Sequence, residues 1–473
     1  MPSEEKKTKN INTSNREDKD SSKKSENETK TNDQTPVTSR KLKDRREKKP
    51  AITEEDIKKA TEKMSEYIPK KREYKSFKVN KKLYSLDKRS KKEAKLTKNA
   101  IKETNMLLPE EGGYLEAEGV EKTGNFSQKK LKKEVDISVQ KRMFNLELTQ
   151  FGPYICTYNR EGSTMLIAGR KGHLAMINAH THKLVSEINV KQSIRDITFL
   201  CDDMYAVAQK KYLYVYDSKG TELHCLRQFD TPEYMTYLPY HFLLCNTSRG
   251  GQIAWQDIST GEVVADYKPK FGISSSICHN PQNAVVHVGF KNGEVSLFSP
   301  NQSKFLVRMM CHQGSVTDVK VDLTGKYMVT AGMDQTMKIW DLRTYQCLYK
   351  YRTDAIVSSI DISQRGLVAC SMHGNVKIWK NLFTTRQKDV YMRELYPEVD
   401  RVAFRPFQDQ LLIGHSNGVS SMIVPGAGEA NVDTMELNIY NNFTRKQRRE
   451  NFVQKLLDKL PWDSIVLDPN SLF

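Results

Sequence analysis

The 473-residue chain carries 75 Lys and Arg against 58 Asp and Glu, for a net charge of +17. The excess is uneven: residues 1–141 hold 38 basic against 26 acidic side chains, residues 142–473 hold 37 against 32. No apolar run approaches the ~18 residues of a membrane-spanning helix, no secretory leader is visible, and the eight cysteines contain no C-x-x-C pair, so the composition argues for reduced thiols and a polyanionic partner, with nucleic acid the default.

Residues 1–50 are Lys-, Ser-, Asn-, Thr- and Glu-rich with few large apolar side chains, too few to offset chain entropy, and are expected to be disordered. Within them Lys41, Lys43, Arg45, Arg46, Lys48 and Lys49 read either as a nuclear localisation or phosphate-binding run, or as a solvated charge run. Over 51–106 two charged helical segments follow. One starts at Thr53 with Ile57, Ala60, Met64 and Tyr67 at helical spacing; the other runs from about Leu86 to Leu107 and bears Lys88, Arg89, Lys91 and Lys92. Their narrow apolar stripes suit docking on a partner better than an independent core. Residues 107–141 read as an acidic, Gly-rich linker.

Residues 142–150 alternate, with Phe144, Leu146 and Leu148 on one face, as a half-buried strand does. A pattern of polar turn, alternating apolar strand and terminal aromatic or apolar residue then recurs. Its clearest copy is Gly332 to Asp341, ending Ile339-Trp340-Asp341, and its copies end at positions 177, 216, 256, 298, 340, 379 and 423. These steps match the ~40–45-residue period of WD-repeat propeller blades. Each repeat parses as four short strands. In the second these are Asp196–Leu200, Met204–Gln209, Tyr212–Asp217 and Leu223–Phe229, and in the fifth Val316–Val321, Tyr327–Ala331, Met337–Asp341 and Cys347–Tyr351. The expected fold is all-β, a seven-bladed WD40-type β-propeller over 142–424, with a basic, partly helical and partly disordered N-terminal extension and a short helical C-terminal one. Pro425-Gly426 stops the last strand, so blade 7 needs 142–150 as its fourth strand to close the ring. The fifth repeat also holds the residues that resemble a WD-repeat tetrad: His312, Thr330, Asp334 and Trp340. The resemblance implies that Asp334 joins the His to the tight turn and that Thr330 joins the His to the indole, a structural role.

The C-terminal extension, 425–473, carries a helix expected at about 444–460. Phe452, Val453, Leu456, Leu457 and Leu460 form its apolar face, Arg445, Lys446, Arg448 and Arg449 crowd its first turns, and Ile465-Val466-Leu467 offers an apolar anchor. Cations at a helix N-terminus oppose the macrodipole, so the cluster reads as a phosphate contact or as an ordinary solvated end.

No phosphate loop, H-E-x-x-H or G-x-S-x-G signature occurs, and Gly426-Ala427-Gly428 lacks the context of a dinucleotide site. Cys and His are adjacent at 224–225, 278–279 and 311–312, but neighbours on a strand point to opposite faces and chelate poorly. No catalytic residue, metal site, cofactor or small-molecule substrate is therefore expected, although a propeller can assemble a channel site from residues remote in sequence.

Several stretches resemble one family: Leu107-Leu-Pro-Glu-Glu with Tyr114-Leu-Glu-Ala-Glu-Gly, Gly169-Arg-Lys-Gly-His173, Ala206-Val-Ala-Gln-Lys-Lys211, Leu238-Pro-Tyr-His-Phe-Leu-Leu244, Val424-Pro-Gly-Ala-Gly-Glu429 and Arg445-Lys-Gln-Arg-Arg-Glu450. The family is the nucleolar WD-repeat proteins of the small-subunit processome, associated with U3 small nucleolar RNA. The resemblance implies a nuclear, nucleolar scaffold in small-subunit rRNA processing and ribosome biogenesis, with processome proteins, pre-ribosomal RNA and U3 small nucleolar RNA as partners and no membrane. The chain departs from the family at Ile439, where relatives carry Pro, and relatives extend into a basic tail beyond the position of Phe473. The basic extensions equally suit an adaptor for chromatin or ubiquitin-ligase complexes.

Overall fold

The computed structural model describes residues 81–105, 113–118, 121–135, 137–270, 272–387, 389–429 and 443–467. The tail over 1–50 with its six named cations, the helix expected from Thr53, and Ile439 lie outside them.

Seven four-stranded antiparallel sheets form the ring. Blades 1 to 6 are built in chain order from residues 154–189, 194–226, 232–267, 274–310, 316–352 and 357–395. The seventh combines Val399–Phe404, Gln410–His415 and Gly418–Ile423 with Asn145–Glu147. That last strand pairs Asn145 with Ser420 and Glu147 with Gly418, so the beginning and end of the propeller share one sheet. First strands of successive blades contact one another in a closed cycle, blade 7 meeting blade 1. Closure of this kind gives blade 7 a full complement of four strands and leaves each blade with one short outer edge at the rim.

Burial follows position within the blade. In blade 1 the second strand is covered on both faces, and Met165, Leu166, Ile167 and Ala168 are buried in succession. The fourth strand, Leu184–Asn189, faces outward and alternates between exposed and half-buried residues. Continuous apolar runs therefore mark middle strands and alternation marks rims.

Strand limits differ from the sequence reading at their ends. Of residues 142–150 only Asn145–Glu147 forms strand; the Leu148 amide carries the register one step further onto the Asn417 carbonyl, at 2.7 Å, but there the partner strand, which begins at Gly418, has given way to a turn. The strands of blade 2 run Ile194–Cys201, Met204–Gln209, Leu213–Asp217 and Glu222–Leu226.

The segment that composition reads as a linker is docked rather than free. Tyr114 and Leu115 pack on the blade 6–7 core, and the Leu115 amide donates to the Tyr391 hydroxyl at 2.8 Å. Helices α2, Gln128–Glu134, and α3, Ile137–Gln140, follow; α1 is Lys81–Asn105, beginning five residues before the expected Leu86. In α2, Leu131 is buried and the Gln128 side chain exchanges two 3.0 Å hydrogen bonds with the Ile423 backbone. Isolated apolar residues among charges did this work, which an averaged composition hides.

Candidate nucleic-acid interface

Blade 5 contains a connected polar web. His312 Nδ1 lies 3.0 Å from Asp334 Oδ1 and its Nε2 lies 2.9 Å from Thr330 Oγ1, which accepts from Trp340 Nε1 at 3.0 Å. Asp334 also accepts from the Thr336 hydroxyl at 2.8 Å, fixing the turn between the second and third strands. Gly332 is required beside it, since a β-carbon there would stand 2.6 Å from the His312 ring. His312 is fully buried, and burial holds its pKa below the usual imidazole value although Asp334 pulls the other way. Every polar atom of the web has a partner inside the blade, so these four residues bind the sheet together and offer nothing to a ligand.

The central channel holds charged groups that motif searching missed. Asp196, Asp318 and Ser359 occupy the same phase of their first strands, and each accepts a backbone N–H from the next blade: Met235 at 2.8 Å, Ile360 at 2.7 Å and Val402 at 3.5 Å. Asp361 accepts from the Phe404 amide at 2.6 Å, and Arg401 donates to Asp196 at 2.5 Å. Lys320 lies 3.9 Å from Asp361. Burial in the channel wall raises the pKa of Asp318 and Asp361, with Lys320 opposing; desolvation works against the Lys320 cation, yet Asp361 and other neighbours hold its pKa up. These carboxylates staple blade to blade. The signal for Asp196, Asp318 and Ser359 was in the sequence, as a polar residue two positions into the first strands of blades 2, 5 and 6.

Among the described residues no group of three or more His, Cys, Asp or Glu could hold a metal, and all eight cysteines are free thiols. No helix among them is long and apolar enough to cross a membrane.

The basic candidates on the extensions that fall among the described residues are solvent-facing. Over its 25 residues α1 bears nine Lys/Arg and three Asp/Glu. Lys88, Arg89, Lys91 and Lys92 are all exposed; Arg89 pairs with Glu93 at 3.1 Å and Lys91 with Asp87 at 2.5 Å, one turn away in each case. Such surface pairs contribute a few tenths of a kcal/mol, about 0.3–0.5, and exchange readily for a phosphate.

Helix α4, Arg445–Leu457, is shorter than the expected 444–460. Its N-terminus is closed by a capping box in which the Thr444 hydroxyl accepts from the Gln447 amide while Gln447 reaches back to the Thr444 amide. Lys446 pairs with Glu450 at 3.3 Å, and Arg448 and Arg449 are exposed; the Arg445 side chain lies outside the described set. The apolar face read from sequence is not covered: Phe452, Val453, Leu457 and Leu460 are exposed and Leu456 is half-buried. Anchoring begins past the helix. The Leu460 amide bonds the Tyr240 carbonyl at 3.0 Å, Lys459 pairs with Asp257, and Ile465 is buried in the blade 3–5 core. Ser299 and Asn301 accept the strap by donating to the Ile465 carbonyl, at 2.6 and 3.2 Å.

Comparison with known proteins adds two family matches. Residues 303–341 match the model described as WD domain, G-beta repeat, and residues 390–468 match the BING4CT (NUC141) domain. The second match is not a separate body: it spans the outer strand of blade 6, all of blade 7's own strands and the strap onto blades 3 and 4. The chain is 39% identical over 389 residues to U3 small nucleolar RNA-associated protein 7 of Saccharomyces cerevisiae, covering 78% of this chain and 70% of that protein. It is 42% identical over 375 residues to WD repeat-containing protein 46 of Homo sapiens and 38% over 381 residues to its Caenorhabditis elegans counterpart, spanning 61% and 64% of those relatives' lengths.

Proposed function

The chain belongs to the family of U3 small nucleolar RNA-associated protein 7 and WD repeat-containing protein 46, and from that premise we propose that it is a non-catalytic scaffold of the small-subunit processome. In this reading the propeller is a stiff platform, and the extensions bind processome proteins together with pre-ribosomal and U3 small nucleolar RNA during small-subunit rRNA processing in the nucleolus. The relative's printed association with U3 small nucleolar RNA, at 39% identity over 389 residues, is the observation that carries it. The exposed cations of α1 support it, because phosphate contacts supply sequence-independent affinity for RNA. The channel supports a non-enzymatic role, since Asp196, Asp318 and Asp361 spend carboxylate oxygens on neighbouring backbone amides.

The test is purification of the tagged full chain from cells with sequencing of the bound RNA. Enrichment of small-subunit RNA precursors and U3 small nucleolar RNA is expected. Recovery no better than with a neutral propeller overturns the reading and favours the chromatin or ubiquitin-ligase adaptor.

A further inference from the structure

In a four-stranded meander the connections between second and third strands, and those leading from each fourth strand to the next blade, emerge on the same face of the ring. The hydrogen bonds and ring contacts of both extensions fall on the opposite face or on the rim: the strap reaches Tyr240, Asp257, Asn283 and Asn301, and the N-terminal segment reaches Arg365, Lys380, Tyr391 and Ile423. Among the described residues the first face of blades 1 to 4 makes no hydrogen bond, ion pair or ring contact with either extension, and the charge of the face is divided. The turns of blades 1 to 4 carry Arg170 and Lys171, Lys210 and Lys211, Arg249, and Lys291. The connections leaving blades 1 to 3 add Lys191, Arg227, Lys268 and Lys270, while Asp230 is the single carboxylate in this set of loops. The corresponding loops of blades 5 to 7 hold no Lys or Arg and three acids, Asp334, Asp354 and Glu398.

The basic loops are also fastened to one another. The Lys211 carbonyl accepts from the Thr231 amide at 2.7 Å, and the Thr231 carbonyl accepts from the Arg249 amide at 3.0 Å, tying blade 2 to blade 3. The Ile194 amide bonds the Arg170 carbonyl at 3.1 Å between blades 1 and 2, and the Lys291 amide bonds the Ile273 carbonyl, also at 3.1 Å, between blades 3 and 4. Apart from Arg170, which pairs with Asp400, none of these cations makes an ion pair among the described residues. Like charges crowded on a fixed backbone repel, and a polyanion relieves that repulsion by displacing their counterions.

Building on the scaffold reading above, we propose that this crescent on blades 1 to 4 is a second RNA-binding surface, which grips the phosphate backbone without reading bases. The corresponding loops of blades 5 to 7 offer no cation to the strand, Asp354 being paired with Lys377 and Asp334 with His312, and so confine it to one arc of the face.

The test uses the full chain and a fluorescein-labelled 30-nucleotide single-stranded RNA, titrated across a KCl series. One variant combines Lys210→Gln, Lys211→Gln, Arg249→Gln and Lys268→Gln; a second combines Lys88→Gln, Arg89→Gln, Lys91→Gln and Lys92→Gln on α1. All eight side chains are exposed, so an unchanged melting temperature checks that each variant is folded. Losing four phosphate contacts lowers the slope of log K against log salt by about 3 and weakens binding about tenfold or more near physiological salt. The crescent variant showing both changes is the expected result. Unchanged affinity and slope in the crescent variant, with loss only in the α1 variant, overturns the crescent while leaving the scaffold reading standing. Amine-reactive cross-links from Lys210 and Lys211 to an acidic protein, with RNA cross-links confined to the extensions, also overturn it. Absence of small-subunit RNA from the cellular purification would instead remove the reading on which it rests.

Discussion

Blades 4 and 5 are neighbours with the same strand order, yet they fill equivalent positions in opposite ways. The ladder registers place Val288 and Phe298 of blade 4 where blade 5 has Thr330 and Trp340. Blade 5 joins those positions by hydrogen bonds through His312 and Asp334. Blade 4 sets Phe298 edge-to-face on Phe290, with ring centroids 6.4 Å apart. The difference teaches that the polar tetrad is one way to order a blade rather than a condition for one. It also explains why the WD-repeat model matches residues 303–341, where the tetrad is complete.

The sharpest way to break the comparison is Phe298→Ala. Phe298 is fully buried, and its truncation should lower the unfolding free energy by about 3–5 kcal/mol, measured by urea denaturation. A loss below about 1 kcal/mol, the size expected of a mild core change, would mean that aromatic packing does not hold blade 4.

Thr330→Val comes next, because it gives blade 5 the residue blade 4 already has. The side chain keeps its shape but the hydroxyl serving both His312 and Trp340 disappears, leaving buried polar groups unpaired at a cost of about 2–3 kcal/mol. The mirror change, Val288→Thr, buries a hydroxyl beside Phe298 and should cost about 1–3 kcal/mol. If either substitution is neutral in the same denaturation experiment, the two fillings are interchangeable and the distinction fails.

The smallest effect is read from pH. Burial lowers the pKa of His287 in blade 4 to about 3 and also lowers that of His312 in blade 5. Both folded values lie below the unfolded value of about 6.5, so unfolding takes up protons. Their contribution to stability is present above pH 6.5 and is lost as pH falls, for His287 across the window down to about 3. The melting temperature should therefore drop between pH 7 and pH 4, and His287→Gln should shallow that drop. An identical pH profile in the variant would show that His287 does not titrate on unfolding.

Reading the sequence recovered the ring because a blade is a local object. Its strands are consecutive, its turns are marked by residues such as Lys171-Gly172 and Asn292-Gly293, and its middle strands are unbroken apolar runs. Blade 5's web was legible for the same reason, since His312, Thr330, Asp334 and Trp340 lie within 29 consecutive positions. The docking of 113–140 was not, because Gln128 meets Ile423 across 295 residues and its neighbours look like an ordinary charged segment.

By itself the sequence determined how many blades there are, the period at which they repeat, and that the basic excess lies mainly outside them, because periodicity and charge are properties of the linear chain. Only the tertiary structure decided which loops share a face. Ten cations scattered from Arg170 to Lys291 become one arc because ring closure brings the turns of successive blades side by side and backbone hydrogen bonds hold them there. Likewise the apolar face of α4 is exposed while Ile465, further along the strap, is buried against blades 3 to 5, since burial depends on what the folded ring presents at each point along the strap.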